Sequence, residues 1–199
     1  MAKQDKDQEI AELQRRLDAE VGRLNRLVEI AALLNSTLNL DELLELIMTS
    51  AAEVLGAETS SLLLLDEDKG ELTVEIATGA PGREVMKERV PAGSGIAGWV
   101  VEKGEPLVVE RPQEDPRFYS EIDQKSGFET RNLLAVPLRT KERVIGAVEV
   151  LNKLDGEFDE DDLTIATALA NQAATAIDNA RLYARLADAV VTSRLSYRL

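Results

Sequence analysis

A narrow apolar stripe runs through the first thirty residues of the chain, between flanks rich in charged residues. Its members, three or four residues apart, are Ile10, Leu13, Leu17, Val21, Leu24, Val28 and Ala31. This spacing is typical of a coiled-coil seam with one stutter, and the stripe is too narrow for a helix buried in a globular core. Residues 1–34 are therefore predicted to form a dimerisation helix, with a lone surface helix on its own domain as the alternative.

Beyond the stripe, the pattern predicts one helix and then mainly strands. The helix starts at Asn39, where Glu42 completes a capping-box pattern, and it stops at Gly56. The predicted extended segments are Thr59–Leu65, Glu71–Thr78, Arg89–Pro91, Pro106–Glu110, Leu133–Arg139 and Glu142–Lys153. The first two and the last two are predicted to be hairpins. A small helical turn is predicted at 95–104, and the long polar stretch 111–130 is expected to be functional or partly helical.

The last forty residues carry the pattern of one long helix. From Asp159 to about Leu195 there is no Pro or Gly, and small or apolar residues recur at helical spacing. Such a helix is about 50 Å long, longer than its own sheet needs, so the excess is expected to pack on the same helices of a second copy as a parallel homodimer. The predicted domains are 1–34, 35–183 and a helix over 159–199 that extends into a signalling helix.

Hairpin strands with helices at both ends predict the fold class. The expected fold is α+β: an antiparallel sheet backed by helices, with long N- and C-terminal coiled-coil-type helices.

The composition of the chain then excludes most classes of function. The formal net charge of −14 argues against nucleic-acid and anionic membrane surfaces. No apolar run is long enough to span a membrane, and the start of the chain lacks the apolar core of a signal peptide, so cytoplasm is the expected location. Without Cys or His, thiolate nucleophiles, imidazole bases and the usual metal ligands are missing. We therefore expect a protein that is not an enzyme and has no metal.

Two segments are candidates for chemistry. The glycines of Gly93–Gly98 lack the Lys-Ser/Thr of a phosphate-binding P-loop, so they indicate either a close backbone approach to a ligand or a tight helix entry. The stretch 115–131 concentrates three aromatic side chains with hydroxyls and Asp123. Such a set can stack on a flat ring and bind its polar edge, or the aromatic side chains can simply anchor a long loop to the core.

Taken together, five stretches resemble the GAF domain in their order and spacing. They are Ser60–Asp66, Arg89–Leu107, Asp115–Phe118, Asp123–Leu138 and Val144–Lys153. Within that superfamily the chain is most similar to the regulatory GAF domains of cyclic-nucleotide phosphodiesterases and bacterial adenylate cyclases. The resemblance excludes bilin-binding and methionine-sulfoxide-reducing types, which need Cys, and haem sensors, which need an axial His.

The resemblance implies a nucleotide pocket under the loop-helix region, against the sheet. It assigns Ser61 to the floor, Ile96 and Ala97 to backbone contacts, Tyr119 and Phe128 to the base, Asp123, Ser126 and Thr130 to the base edge and phosphate, and Glu149 to the inward face of the last strand.

The chain departs from the family pattern at two places. Ala77-Thr78 stands where cyclic-nucleotide binders often carry an aromatic residue and an acid. Of the Asn-Lys…Phe-x-x-x-Asp-Glu signature, the last position is Leu163, while the Lys153–Asp162 contact that it implies would be an internal tie between strand and helix.

Two functions follow as hypotheses. The first is a regulatory module in which a small molecule, a cyclic purine nucleotide, shifts the packing of the dimer helices and so signals to an output domain or a protein partner. The second is a ligand-free dimerisation and protein-docking module in which the helices carry the function.

Deletion of residues 1–30 is expected to weaken the homodimer, because it removes the predicted seam. Light scattering or analytical ultracentrifugation of the full chain and the truncated chain tests this. A full chain that is monomeric at micromolar concentration would refute the dimer.

Overall fold

The computed structural model describes residues 13, 15 and 16, 40–79 and 85–196, with side chains as far as residue 182. The chain divides into two units, Met1–Thr37 and Leu38–Leu199. In the first unit the three described residues are helical. The rest of the predicted dimerisation helix lies outside the described residues. No helix in the described part of the chain is both long and apolar enough to cross a membrane.

The described part of the second unit alternates between strands and helices. In chain order the elements are α1 (Leu40–Leu55), β1 (Ala57–Asp66), β2 (Glu71–Ala77), β3 (Arg89–Pro91), α2 (Gly95–Lys103), β4 (Leu107–Val109), a 3₁₀ turn (Pro112–Glu114), α3 (Glu121–Ser126), β5 (Leu133–Arg139), β6 (Val144–Lys153) and α4 (Glu160–Ser196). Every predicted strand and helix in this part is present. The predicted strand over Glu142–Lys153 starts two residues later, because Thr140 and Arg143 close the turn with a backbone hydrogen bond of 2.9 Å.

The strands form one antiparallel sheet in the order β3-β2-β1-β6-β5-β4. Both predicted hairpins are present as the neighbouring pairs β1–β2 and β5–β6, and β1 pairs with β6 at the centre. The predicted α+β class is therefore confirmed.

Strand β1 has both faces covered, which explains its run of leucines. Ser60 is buried, and its Oγ donates a hydrogen bond of 2.6 Å to the carbonyl of Met48 in α1. The opposite face of β1 carries Leu63, which belongs to a core cluster with Ile96 and Val100 of α2. Since successive side chains of a strand point to opposite faces, α1 lies on one face of the sheet and α2 on the other.

Helix α4 packs on the same face as α1 through small residues. Its buried positions are Ala166, Leu169, Ala170, Ala173, Ala174 and Ile177. The first half of the small and apolar positions predicted for the last helix therefore packs within the chain. Ile177 is the last buried residue among the described side chains, and the helix continues to Ser196, about 28 Å further at 1.5 Å per residue.

The first turn of α4 is fixed by reciprocal carboxylate bonds. Asp159 accepts from the N–H of Asp162 at 2.9 Å, and Asp162 accepts from the N–H of Asp159 at 3.0 Å, as in a capping box. Asp162 also pairs with the ammonium of Lys153 on β6. The strand-to-helix tie that the family resemblance implied is therefore present.

Strand β5 contains a proline although it lies inside the sheet. Strand β4 pairs only with Leu133–Ala135, so Pro137 has a partner strand on the β6 side alone. Pro cannot donate to a ladder and is tolerated where a strand is at an edge. The shortness of β4 therefore explains why this residue is accommodated.

Gly146→Ala is expected to destabilise the protein by about 3 kcal/mol, because overpacking of a tight contact costs about that much. A Cβ at this position would overlap the carbonyl oxygen of Leu63 on β1. The matched control is Gly156→Ala, where φ is +76° and a Cβ meets nothing within 4 Å, so only backbone strain of about 1–2 kcal/mol is added. Denaturant unfolding measures both, and equal losses would contradict the close strand approach.

Candidate functional site

Two cavities adjoin on the face of the sheet that carries α2. One measures about 470 Å³ and the other about 460 Å³, each taken out to its open mouth. They share five lining residues: Leu63, Ile122, Asp123, Glu149 and Leu151. Both figures include open solvent at the mouth. The space inside that water-sized spheres can occupy is about 60 Å³ in the first cavity and about 70 Å³ in the second.

The structure places all nine site residues predicted from the sequence around these two cavities. The first is lined by Ser61, Asp123, Ser126, Phe128 and Glu149 among others. The second is lined by Ile96, Ala97, Tyr119 and Thr130, and again by Asp123 and Glu149. Asp123 and Glu149 therefore lie where the cavities meet.

Strand pairing builds the floor. Ser61 on β1 lies directly opposite Glu149 on β6, and Glu149 lies opposite Ala135 on β5. Along β6, alternation places Glu149 and Leu151 on this face and leaves the intervening Val150 to the opposite, helix-covered face. A carboxyl group is thus held in the middle of a largely apolar floor.

Glu149 is the most perturbed acid of the site. Burial raises the pKa of its carboxyl from the usual 4.5 to about 7, and the nearby charge of Asp123 acts in the same direction. The backbone N–H of Ala97 and the hydroxyl of Ser61 favour the ionised form and partly oppose the rise. Near neutral pH this carboxyl is therefore present in both its protonated and its ionised form.

Asp123, on the short helix α3, is held in one orientation by Thr130. One carboxylate oxygen accepts from the Thr130 N–H at 2.8 Å and the other accepts from the Thr130 hydroxyl at 2.8 Å. Thr130 is itself buried, with 1% of its surface exposed. These two predicted site residues act as a pair.

Ser126 and Phe128 are connected through the turn that ends α3. The Ser126 hydroxyl donates to the carbonyl of Ile122 at 2.8 Å and accepts from the N–H of Phe128 at 3.3 Å. Between them, Gly127 has a left-handed backbone with φ of +69°. Ser126 thus shapes the turn that brings the Phe128 ring to the first cavity.

The glycine-rich segment is explained by helix entry. A Cβ on Gly98 would lie 2.8 Å from the carbonyl carbon of Gly93. A Cβ on Gly95 would lie 3.2 Å from the Cβ atom of Tyr119. Of the two alternatives, a tight entry into α2 accounts for Gly93 and Gly98. Ser94–Ala97 also line the second cavity.

The aromatic side chains of the 115–131 segment divide between the two roles. Phe118 and Tyr119 pack against the core cluster, so they anchor the segment, although both also border the second cavity. A hydrogen bond to Glu121 raises the pKa of the Tyr119 phenol. Phe128 is half-buried and lines the first cavity.

The arginine at the start of this segment is used structurally. Arg117 holds Asp115 through two bonds of 2.9 and 2.7 Å, and its guanidinium lies 5.0 Å from the centre of the Trp99 ring. It does not line either cavity. The Asp-Pro-Arg-Phe stretch is therefore a fixed corner beside α2.

Three apolar residues that line both cavities were missed in the sequence reasoning: Leu63, Ile122 and Leu151. The first and last lie two positions from Ser61 and Glu149, so the period-2 alternation of a strand was a sufficient signal. Ile122 had no such signal, because its orientation depends on where the short helix α3 docks.

The charged side chains that line the site are acidic. Among the described residues that line the cavities, the charged ones are Asp123 and Glu149, and no Lys or Arg is present. The described residues also contain no group of three or more His, Cys, Asp or Glu arranged to hold a metal ion. The arrangement is suited to accepting hydrogen bonds from a ligand.

Comparison with known proteins gives a family. A family model described as the GAF domain matches residues 37–178. A Caenorhabditis elegans protein, described as a probable 3′,5′-cyclic phosphodiesterase pde-5, is 30% identical over 185 residues, which cover 88% of this chain and 25% of that protein. The chain thus spans about a quarter of that relative's length.

Solved structures share the fold. The GAF domain of a phosphoenolpyruvate-protein phosphotransferase from Coxiella burnetii superposes with a TM-score of 0.74 at 24% identity, covering 82% of this chain and 96% of that one. A free methionine-R-sulfoxide reductase from Neisseria meningitidis superposes with a TM-score of 0.69 at 21% identity, covering 81% and 91%.

Glu149→Gln is expected to change the pH dependence of stability. The folded-state pKa of Glu149, about 7, lies above its unfolded value of 4.5, so the folded state binds the proton more tightly. The wild-type chain should therefore lose about 1–3 kcal/mol relative to the variant as pH rises from 5 to 8. Melting temperatures of both proteins at pH 5 and pH 8 test this, and a constant difference would contradict a buried, proton-exchanging Glu149.

Proposed function

The chain belongs to the GAF domain family, and from this membership we propose that it is a sensory and regulatory module that binds a small ligand. The ligand we propose is a cyclic nucleotide, and its signal passes through a parallel homodimer of terminal helices to an output domain or protein partner. The observation that carries the proposal is the placement of all nine predicted residues around two adjoining cavities.

The chemistry of the lining supports a flat, nitrogen-rich ligand. Phe128 and Tyr119 offer aromatic faces for stacking. Asp123 and Glu149 offer carboxyl oxygens that accept hydrogen bonds from N–H groups on a base edge. Since no Lys or Arg among the described residues lines the site, the phosphate would lie against backbone N–H groups at the start of α2.

The ligand would span the two cavities. They meet at Ile122 and Asp123 on α3, so a nucleotide that occupies both displaces or rotates this short helix. Helix α3 is six residues long, and no residue in it is buried. Its small apolar contact makes such a shift inexpensive in free energy.

Coupling to the dimer would run through α4. This helix contacts β5 and β6, the strands beneath the cavities, and continues past its last described buried residue to Ser196. A ligand that favours one arrangement of the strands and α4 over another shifts the population of the helical dimer. The module itself would not be an enzyme, since the chain has no Cys or His to act as nucleophile or base.

A second function is favoured by one specific observation. Each oxygen of the Asp123 carboxylate already accepts a hydrogen bond from Thr130, so this carboxylate has hydrogen-bond partners without a ligand. This supports the alternative, a ligand-free dimerisation and protein-docking module.

The test is a thermal-shift screen of the full chain with cyclic AMP, cyclic GMP and related nucleotides. A ligand at 100 times its dissociation constant adds about 2.7 kcal/mol of stability, which raises the melting temperature by several degrees. Asp123→Ala and Phe128→Ala are expected to abolish the shift while the protein stays folded, because they remove the base contacts. Asp155→Ala, at an exposed loop acid, is the matched control and should leave the shift unchanged.

The site assignment and the nucleotide ligand can each fail separately. Retained affinity in both variants would overturn the site assignment. If no nucleotide shifts the wild-type chain, the docking module replaces the sensor.

A further inference from the structure

Helix α2 begins at the wall of the second cavity without the cap that its own sequence offers. The residue before its first turn is Ser94, a common N-cap type, yet the Ser94 side chain makes no capping hydrogen bond. The first turn of α2 also contains no acidic residue. The first backbone N–H groups of a helix have no partner within the helix, and they attract negative charge. This end of α2 therefore favours an anion from another part of the chain or from a ligand.

Glu149 supplies an anion to this helix end from the sheet. Its carboxylate accepts a hydrogen bond from the backbone N–H of Ala97, the third residue of α2, and another from the hydroxyl of Ser61. The N–H of a third helical residue is a group that an N-cap side chain ordinarily binds. The register of the sheet supports the contact, because Ser61 on β1 lies directly opposite Glu149 on β6. Glu149 therefore caps α2 across the cavity that both of them line.

The same helix end is the place that the proposed function gives to the ligand phosphate. The carboxylate of Glu149 and the phosphate thus compete for one set of N–H donors. Among the described residues that line the two cavities, no Lys or Arg is present to compensate a second anion. Asp123, which is held by Thr130, adds a further negative charge from α3. A phosphate at this position would leave an ionised Glu149 buried without its helix donor.

The remaining titratable groups do not offset this charge. In the described lining of the cavities, the titratable side chains are Glu149, Asp123 and Tyr119. A hydrogen bond to Glu121 raises the pKa of the Tyr119 phenol, so this group is neutral at pH 8. Burial and the charge of Asp123 already raise the pKa of Glu149 to about 7. Loss of the Ala97 bond and the charge of a nearby phosphate both raise it further.

We propose that Glu149 is a built-in competitor of the ligand phosphate: an anionic ligand takes its place at the start of α2, and the displaced carboxylate takes up a proton from solvent. The proposal rests on the proposed function, because it takes this helix end as the phosphate position. The protonated carboxyl keeps an acceptor oxygen for a base edge and gains an O–H donor. The affinity of the site for a charged ligand therefore depends on pH.

Affinities for cyclic AMP and cyclic GMP at pH 6 and pH 8 test the competition, since the charge of the cyclic phosphate is the same at both. Glu149, with a pKa of about 7, must be protonated in the complex. The wild-type chain is therefore expected to bind about tenfold more weakly at pH 8 than at pH 6. Glu149→Gln is neutral at both values, so its affinity should change less than twofold with pH and exceed that of the wild type about tenfold at pH 8.

Asp155→Asn is the matched control, because it also removes one negative charge, but from an exposed loop. It should keep the pH dependence of the wild type. If Glu149→Gln binds more weakly than the wild type at both pH values, Glu149 is a simple ligand contact and the proposal is wrong. A wild-type affinity that does not change with pH would also overturn it. If neither the wild type nor Glu149→Gln binds either nucleotide at either pH, the proposed function fails and the competition fails with it.

Calorimetry counts the proton directly and decides the case in which Glu149→Gln does not fold. The wild-type chain is titrated with the same cyclic nucleotides at pH 8 in Tris and in HEPES, two buffers with different ionisation enthalpies. Uptake of about one proton per bound nucleotide is expected, because Glu149 is mostly ionised at this pH before binding. Equal binding enthalpies in the two buffers would overturn the proposal.

The contact between Glu149 and α2 can be followed by NMR without any nucleotide. In the wild-type chain the resonance of the Ala97 amide proton is expected to shift with a midpoint near pH 7, because its acceptor titrates there. In Glu149→Gln it should stay constant over the same range. A wild-type Ala97 resonance that does not respond to pH would show that Glu149 is not the anion at α2, whatever the binding experiments give.

Discussion

The antiparallel pairing of β1 with β6 is the contact on which the rest of the domain depends. The central part of both strands is covered on two faces, so the side chains there face either the helices α1 and α4 or the side that carries α2 and the cavities. Ser61 and Glu149 face each other across this pair. A slip of one residue would turn Glu149 toward the helix-packed face, so core packing and the site are fixed by the same register.

The order of elements could be predicted because its signals are local. Runs rich in β-forming residues with turn residues between them predicted both hairpins, and the short strand Arg89–Pro91 was predicted with its observed bounds. The site residues came from family resemblance, since nothing local links Ser61 to Phe128. The hydrogen bond that Asn152 Oδ1 accepts from the N–H of Arg131 joins residues 21 positions apart. Neither that contact nor the left-handed backbone of Asn152 leaves a pattern in a single sequence, because both depend on how distant segments meet.

The polar groups around the cavities differ in how well the protein itself satisfies them. Asp123 is held by Thr130 and Ser126 by its own turn, so these groups are organised before anything binds. For Glu149, the hydrogen bonds from Ala97 and Ser61 offset only part of the cost of burying its charge, so its pKa stays raised. A site that keeps one incompletely compensated acid sacrifices some stability, which is a usual price of function.

Pro137 has a consequence beyond its own strand. Past the end of β4, strand β5 has no strand neighbour on that side, and an unpaired strand edge can serve as a template for pairing with another strand. A proline there withholds a backbone donor and interrupts such a template. The short β4 and the proline beside it therefore keep the unpaired end of β5 from extending the hydrogen-bond ladder of the sheet.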